Sequence, residues 1–242
     1  MNMAASHLHQ YKDIEYSLKK SERKTTSIYI ERDGSVSILA PAPFEHEKIE
    51  QIIEKKRSWI YRNLAEWEDL NRTRVHREYV NGESFMYLGR NYRLQLVDAE
   101  EHEDVDKRET PLVFLHNQFW LRKDAVEQAP EHFKQFYKTK LSKKLKERLK
   151  IYQPKMGVEP TDVKVMELQN RWGSCTAKGV INFHWKCAML PTSVLDYVVM
   201  HELAHIENSS HNAAFWRAVE KVMPGCEEQK VWLRLNGAGM SL

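Results

Sequence analysis

The chain has 242 residues, of which 42% are hydrophobic, 10% aromatic and 29% charged, a globular composition with room for one or two domains. Nine Gly and eight Pro exclude a collagenous or low-complexity chain, and three Cys without CxxC spacing argue against a disulfide framework or a cysteine zinc ribbon. The net charge of +3 is too small a surplus to predict nucleic-acid binding from the total alone.

No apolar run approaches the roughly 18 residues that span a bilayer. Residues 1–20 offer neither an apolar h-region nor a small-residue cleavage site. The expectation is a cytoplasmic protein with no membrane partner. No repeat of about 20 to 50 residues is present, which argues against solenoids and propellers.

Along the chain, residues 27–40 alternate Ile28/Ile30 and Val36/Ile38 around Asp33-Gly34, a hairpin signal. From Phe44 to Leu70 the apolar positions Ile49, Ile52, Ile53, Trp59, Ile60, Leu64 and Trp67 recur at three and four, which predicts a long amphipathic helix. Two more strand pairs are predicted, one around Gly89-Arg90-Asn91 and one around His116-Asn117-Gln118. Between them residues 98–106 (DAEEHEDVD) carry six acids and read as a solvated acidic loop. After Pro130 a second helix carries Phe133, Phe136, Tyr137, Leu141, Leu145 and Leu149, and residues 134–150 add eight basic residues against Glu147 alone.

The last third reads as a strand at 163–168, a compact turn RWGSC at 171–175 and a strand near 180–185. Helices are predicted at about 192–207, opened by Pro191, and at about 212–222 and 226–235. Strands first and helices last predict an α+β fold. A soft boundary near Pro130 divides the chain into 14–129, rich in β-hairpins, and 130–237.

The strongest chemical signal is His201-Glu202-Leu203-Ala204-His205. On a helix the i, i+4 spacing puts both imidazoles on one face, where they can share a zinc ion. Glu202 is rotated by about 100° from His201 and lies beside the metal, placed to take a proton from water. Val194, Leu195, Val198, Val199 and Leu203 give this helix a core-facing surface. A catalytic zinc usually takes three protein ligands and keeps one open position. His211 comes six residues after His205, the offset of the HExxHxxGxxH zincins, with Asn208 where those proteins have the turning Gly. Asn tolerates a left-handed conformation, so the helix can end there and return His211 to the metal. The rival third ligand is Glu220.

Three neutral imidazoles leave the dication its full charge, which suits hydrolysis near neutral pH by water that the metal polarises and Glu202 deprotonates. An oxyanion donor is also needed, and Tyr197, Arg171, Trp172 and His184 stand as unranked candidates. RWGSC reads either as a buried hairpin corner or as a strand edge to which a peptide adds. Phe215 and Trp216 are expected to pack the His211 segment against the motif helix.

NRWGSCTAKGVINF (170–183), DYVVMHELAHIE (196–207) and HNAAFW (211–216) together resemble the YgjP-type metallopeptidase-like family, which is related to the SprT-like and minigluzincin metalloproteases. The resemblance extends upstream through YLGRNYRL (87–94), the DG hairpin and the Trp59-Ile60 helix, covering about residues 14–235. It implies His201, His205 and His211 as metal ligands, Glu202 as the catalytic glutamate, and a zincin-like half with a small antiparallel sheet beside the motif helices. The expected activity is zinc-dependent hydrolysis of a protein or peptide. SprT-like relatives cleave DNA-crosslinked proteins, a role the basic 134–150 helix would suit through phosphate contacts. Two alternatives stay open. One is a metal-dependent nucleotide pyrophosphatase, in which Arg and Lys clamp phosphates. The other is a nucleic-acid-binding module with a structural zinc.

Overall fold

The computed structural model describes residues 8–31, 34–71, 76–98, 110–168, 171–237, 239–240 and 242. The fold is α+β, with small mixed sheets and five α-helices among the described residues. The chain forms two compact units, Met1–Arg74 and Val75–Leu242.

In the first unit, strands β1 (Leu8–Tyr11), β2 (Ile14–Ser21), β3 (Ser27–Ile30) and β4 (Val36–Pro41) precede helix α1 (His46–Asn71). The sheet order is β1-β2-β4-β3, with β2 and β4 parallel at the centre and antiparallel pairs outside. The predicted hairpin is β3 and β4, although Asp33 lies outside the described residues. Alternation explains which face is covered. Ile14, Tyr16, Val36 and Ile38 turn inward to meet Ile49, Ile53 and Ile60 of α1 in one cluster. Trp59 departs from the predicted stripe and stays 41% exposed, because it lies about 100° around the helix from Ile60.

The second unit repeats this strand order. Strands β5 (Ser84–Tyr87), β6 (Arg90–Val97), β7 (Leu112–Leu115) and β8 (Gln118–Arg122) run β5-β6-β8-β7, again with a parallel central pair. A 3-10 turn at Lys123–Gln128 leads into helix α2 (Ala129–Met156), and all six residues of the predicted apolar stripe are buried. Phe133 stacks on Phe85 with ring centroids 4.1 Å apart, and Tyr137 donates a hydrogen bond to the Met86 carbonyl at 2.8 Å. These contacts put the division of the chain at 74/75 rather than near Pro130, since a cut at 130 would split an aromatic core between its sheet and its helix. Of the acidic run, residues 99–106 lie outside the described residues, while Asp98 pairs with Lys123 at 2.6 Å.

Beyond α2, strands β9 (Asp162–Met166), β10 (Gly173–Cys175) and β11 (Val180–His184) form a sheet in the order β10-β11-β9. β10 pairs antiparallel with β11, but β9 is parallel to it, so this sheet is mixed rather than antiparallel. The RWGSC segment is a bend leading into a strand, not a turn. Its last three residues pair with Ile181–Phe183, and the turn falls at 176–179, where Gly179 N–H donates to the Thr176 carbonyl at 2.9 Å.

Helices α3 (Thr192–Glu207), α4 (Ala213–Val222) and α5 (Glu227–Asn236) complete the unit. α3 is held at two places. The turn between β5 and β6 donates Leu88 and Gly89 N–H groups to the Ala188 and Met189 carbonyls, both at 2.9 Å. Gly89 has φ +78° there, and a Cβ on it would lie 2.7 Å from Pro191 Cα, so only glycine fits under the start of α3. Further along, Arg148 of α2 grips the buried Asp196 through two hydrogen bonds of 2.5 and 2.6 Å, and the Tyr152 hydroxyl donates to the same carboxylate at 3.0 Å. Among the described residues, no helix is long and apolar enough to cross a membrane.

Candidate metal centre

His201 and His205 stand one turn apart on α3, with ring centroids 4.9 Å apart. The helix surface around them is covered by the core, with Val194, Leu195, Val198, Val199 and Leu203 all buried. That burial gives the two imidazoles a rigid base.

The helix ends at Asn208, but not in the predicted left-handed conformation. Its φ of −124° and ψ of 97° are extended, and its usefulness lies in its backbone. The Asn208 carbonyl lies 2.9 Å from His205 Nδ1. A carbonyl only accepts, so Nδ1 carries the proton and Nε2 keeps its lone pair for a metal. The Tyr197 hydroxyl, one turn before His201, lies 3.5 Å from His201 Nδ1 and likewise leaves Nε2 facing outward. Bends at Ser209 and Ser210 then turn the chain back. Asn212 caps α4, its side-chain oxygen accepting from Phe215 N–H at 2.9 Å. His211, just ahead of this cap, places its Nε2 2.9 Å from His201 Nε2.

One nitrogen from each of His201, His205 and His211 lies within 4.8 Å of the other two. Glu220 is exposed on α4 and is not in this cluster. Phe215, fully buried, packs against all three rings with centroid distances of 4.7 to 4.9 Å, and Trp216 stacks on His211. The packing expected of these two aromatics is therefore present. Burial, and then the neighbouring imidazoles, push His201 down to about 3, and burial lowers His211 as well. Both rings are neutral at physiological pH, the form that donates a lone pair.

Glu202, the next residue after His201 on α3, lies against Gly173 of β10. It is 5% exposed, its Oε2 has no hydrogen-bond partner, and burial pushes its carboxyl up to about 8 against the opposing charge of Arg171. An unpartnered buried carboxyl beside three convergent imidazole nitrogens fits a cation, which would offset the cost of its charge. The donor set of three nitrogens suits zinc and its transition-metal neighbours.

Gly173, which RWGSC suggests for a tight turn, lies instead in strand β10 and serves the site. A Cβ there would lie 2.6 Å from both Cγ and Oε1 of Glu202, so β10 must carry glycine for the carboxyl to lie against its backbone. The close approach needs the folded structure to be seen, and only the WGS triplet hinted at it.

The four oxyanion candidates separate. Tyr197 is buried behind His201, with its phenol pushed up to about 12. His184 is buried and accepts a hydrogen bond from Lys186 N–H at 3.0 Å. The Trp172 carbonyl accepts from His184 N–H and the Cys187 thiol, and its ring lies where a Cβ on Gly237 would meet it at 2.8 Å. Arg171 alone is exposed. Cys175 is half-buried, and burial together with the charge of Glu202 holds its thiol above the ordinary range, so it is a poor nucleophile.

A helix-borne histidine pair, a third histidine from the next turn of chain and a buried glutamate define the class of metal-dependent hydrolases. The sequence matches the YgjP-like metallopeptidase domain over residues 24–236, and the chain belongs to that family. At the level of the family it is a metal-dependent peptidase. Among solved structures it is similar to the metallopeptidase zymogen of Pyrococcus abyssi, abylysin, at 28% identity, covering 38% of this chain and 92% of that one with a TM-score of 0.35. A comparison with curated proteins gives no match.

Proposed function

We propose that this chain is a zinc-dependent peptidase in which His201, His205 and His211 hold the metal and Glu202 is the general base. The observation that carries the reading is the convergence of three imidazole nitrogens beside a buried carboxyl oxygen that has no other partner. When bound, zinc supplies Lewis acidity that polarises a carbonyl and acidifies water. Glu202 takes the proton of the attacking water and passes it to the leaving nitrogen, which balances the hydrolysis. Its low-dielectric surroundings favour the neutral carboxylic acid once the proton has arrived. Gly173 keeps the carboxyl in place, and Phe215 and Trp216 keep the imidazoles from rotating.

Substrate access is supported by the strand order. β10 is an edge strand, so its outer backbone is open to an extended peptide that would run past Glu202. DNA-linked protein substrates belong to the same reading. In α2, Arg148 and Lys134 are committed to Asp196 and Glu167, whereas Lys143, Lys146 and Lys150 are exposed and available to phosphates.

The test compares wild type with Glu202→Gln for metal content and for turnover of unfolded protein and nucleoside triphosphates, each with and without DNA. The variant should keep one metal ion per chain and lose turnover by about 10²- to 10⁴-fold. Hydrolysis at the wild-type rate would overturn the role of Glu202. Cleavage of nucleotides with the protein substrate intact would replace the peptidase reading with a phosphoanhydride hydrolase.

A further inference from the structure

We propose that the outer face of α1 binds single-stranded nucleic acid, with a base stacked on Trp59 and phosphates held by Lys55, Lys56 and Arg62. The inference stands apart from the peptidase reading and does not depend on it.

Trp59 is where it starts. α1 spends its apolar face on the sheet, where Ile49, Ile53 and Ile60 are fully buried. That leaves an indole on the solvent side at 41% exposure, the one exposed aromatic among the described residues. An indole can bring about 150–250 Å² of burial to a core or an interface, and Trp59 belongs to no core cluster. Its ring is also uncovered. Elsewhere on this helix Lys48 lies 4.5 Å over the Phe44 ring and Arg57 lies 5.4 Å over the Tyr61 ring, whereas among the described residues no cation or ring packs on Trp59.

The neighbours of a residue on a helix surface stand three and four positions away. For Trp59 these are Lys55, Lys56, Arg62 and Asn63, three cations and an amide with no carboxylate between them. All three cations are exposed, and among the described residues none takes part in an ion pair or a hydrogen bond. Glu54, beside Lys55 in sequence, is engaged by Lys12 and Arg57. Beyond Arg62 the sequence turns acidic with Glu66, Glu68 and Asp69, which limits the site to a short stretch.

A rise of about 1.5 Å per residue puts positive charge about 4.5 to 6 Å to either side of the indole along the helix. A nucleotide strand matches that arrangement, since it offers a flat base to the ring and a phosphate on each side of it. A duplex keeps its bases stacked on one another and has none to offer. A membrane surface takes an apolar helix face, and that of α1 is already buried against the sheet. An acidic peptide would satisfy the cations and leave the indole idle.

The experiment uses the full chain and measures, by fluorescence anisotropy, its binding to a labelled oligothymidylate, a duplex of the same length and an abasic strand, with anionic phospholipid vesicles alongside. Wild type should bind the oligothymidylate more tightly than either other strand. Trp59→Ala should weaken that binding by about 5- to 150-fold with its melting temperature unchanged, and Trp59→Phe should keep most of it, because a smaller ring still stacks. The abasic strand should not distinguish Trp59→Ala from wild type. Replacing Lys55, Lys56 and Arg62 together by Ala should flatten the dependence of log affinity on log salt by about 2, as expected for three phosphate contacts to a single strand. Replacing Lys143, Lys146 and Lys150 of α2 should leave the effect of Trp59→Ala intact. Equal affinity of Trp59→Ala and wild type, a duplex bound as tightly as the single strand, or vesicles bound in place of the oligonucleotide would each overturn the proposal, as would the absence of any binding at low salt.

Discussion

The sheets β1-β2-β4-β3 and β5-β6-β8-β7 share one strand order, each with a parallel central pair and each leading to a long helix, of 26 and 28 residues. They differ in the side chains that fill them and in the elements that come after them. The first is sealed by Tyr16 and aliphatic side chains, Ile14, Val36 and Ile38 against Ile49, Ile53 and Ile60, and its unit ends with its helix. The second is sealed by Phe85, Phe119, Phe133 and Tyr137, and its chain continues through β9–β11 into α3 and the bend after it, which carry the three histidines. A common topology thus supplies a frame, while the chemistry depends on the elements appended to one copy of it.

Core truncation tests the difference most severely. Phe133→Ala should cost about 3–5 kcal/mol in denaturant unfolding, because its ring stacks on Phe85 and packs at a tilt against Phe119, all three fully buried. Ile49→Val in the first unit should cost about 0.5–1.5 kcal/mol.

Glycine substitutions sharpen the contrast. Gly173→Ala places a Cβ 2.6 Å from Glu202, and displacing that carboxyl should lower kcat on the order of 10²-fold with metal retained. Gly34→Ala in the first unit meets nothing within 4 Å, so it should cost only the strain of φ +83°, about 1–2 kcal/mol, without altering turnover. The smallest effect concerns Cys175. With its thiol held above the ordinary range it should react with iodoacetamide more slowly than an unperturbed thiol at pH 8, and the rate should climb as pH rises, since the thiolate is the reactive form. Fast labelling at pH 7 would contradict this placement against Glu202.

Much of the fold is legible in the sequence because its signals are local. The hairpins β3/β4, β5/β6 and β7/β8 announce themselves by alternation around a turn, and α2 and α3 by apolar positions at three and four, whereas the β1/β2 hairpin goes unread. The division of the chain is not legible. No linker composition marks residues 72–75, and the aromatic packing that binds α2 to β5 and β8 joins residues far apart in sequence. The parallel partners β2/β4 and β6/β8 are equally hidden, since a hairpin signal names only its own two strands. At the site, residue preference points Asn208 to a left-handed turn. It is instead extended and holds His205 through its carbonyl, a choice made by hydrogen bonding.

The sequence by itself determined the spacing of His201, Glu202 and His205, because 3.6 residues per turn converts four positions into one face of a helix. It left the third ligand between His211 and Glu220, and the folded chain brings His211 to the pair. Only the tertiary structure decided that Gly173 would lie against Glu202, that Arg148 would anchor Asp196 from 48 residues away, and that Gly89 would fit beneath Pro191. Those contacts arise when separate elements pack at close density, and packing is a property of the assembled core that no local pattern encodes.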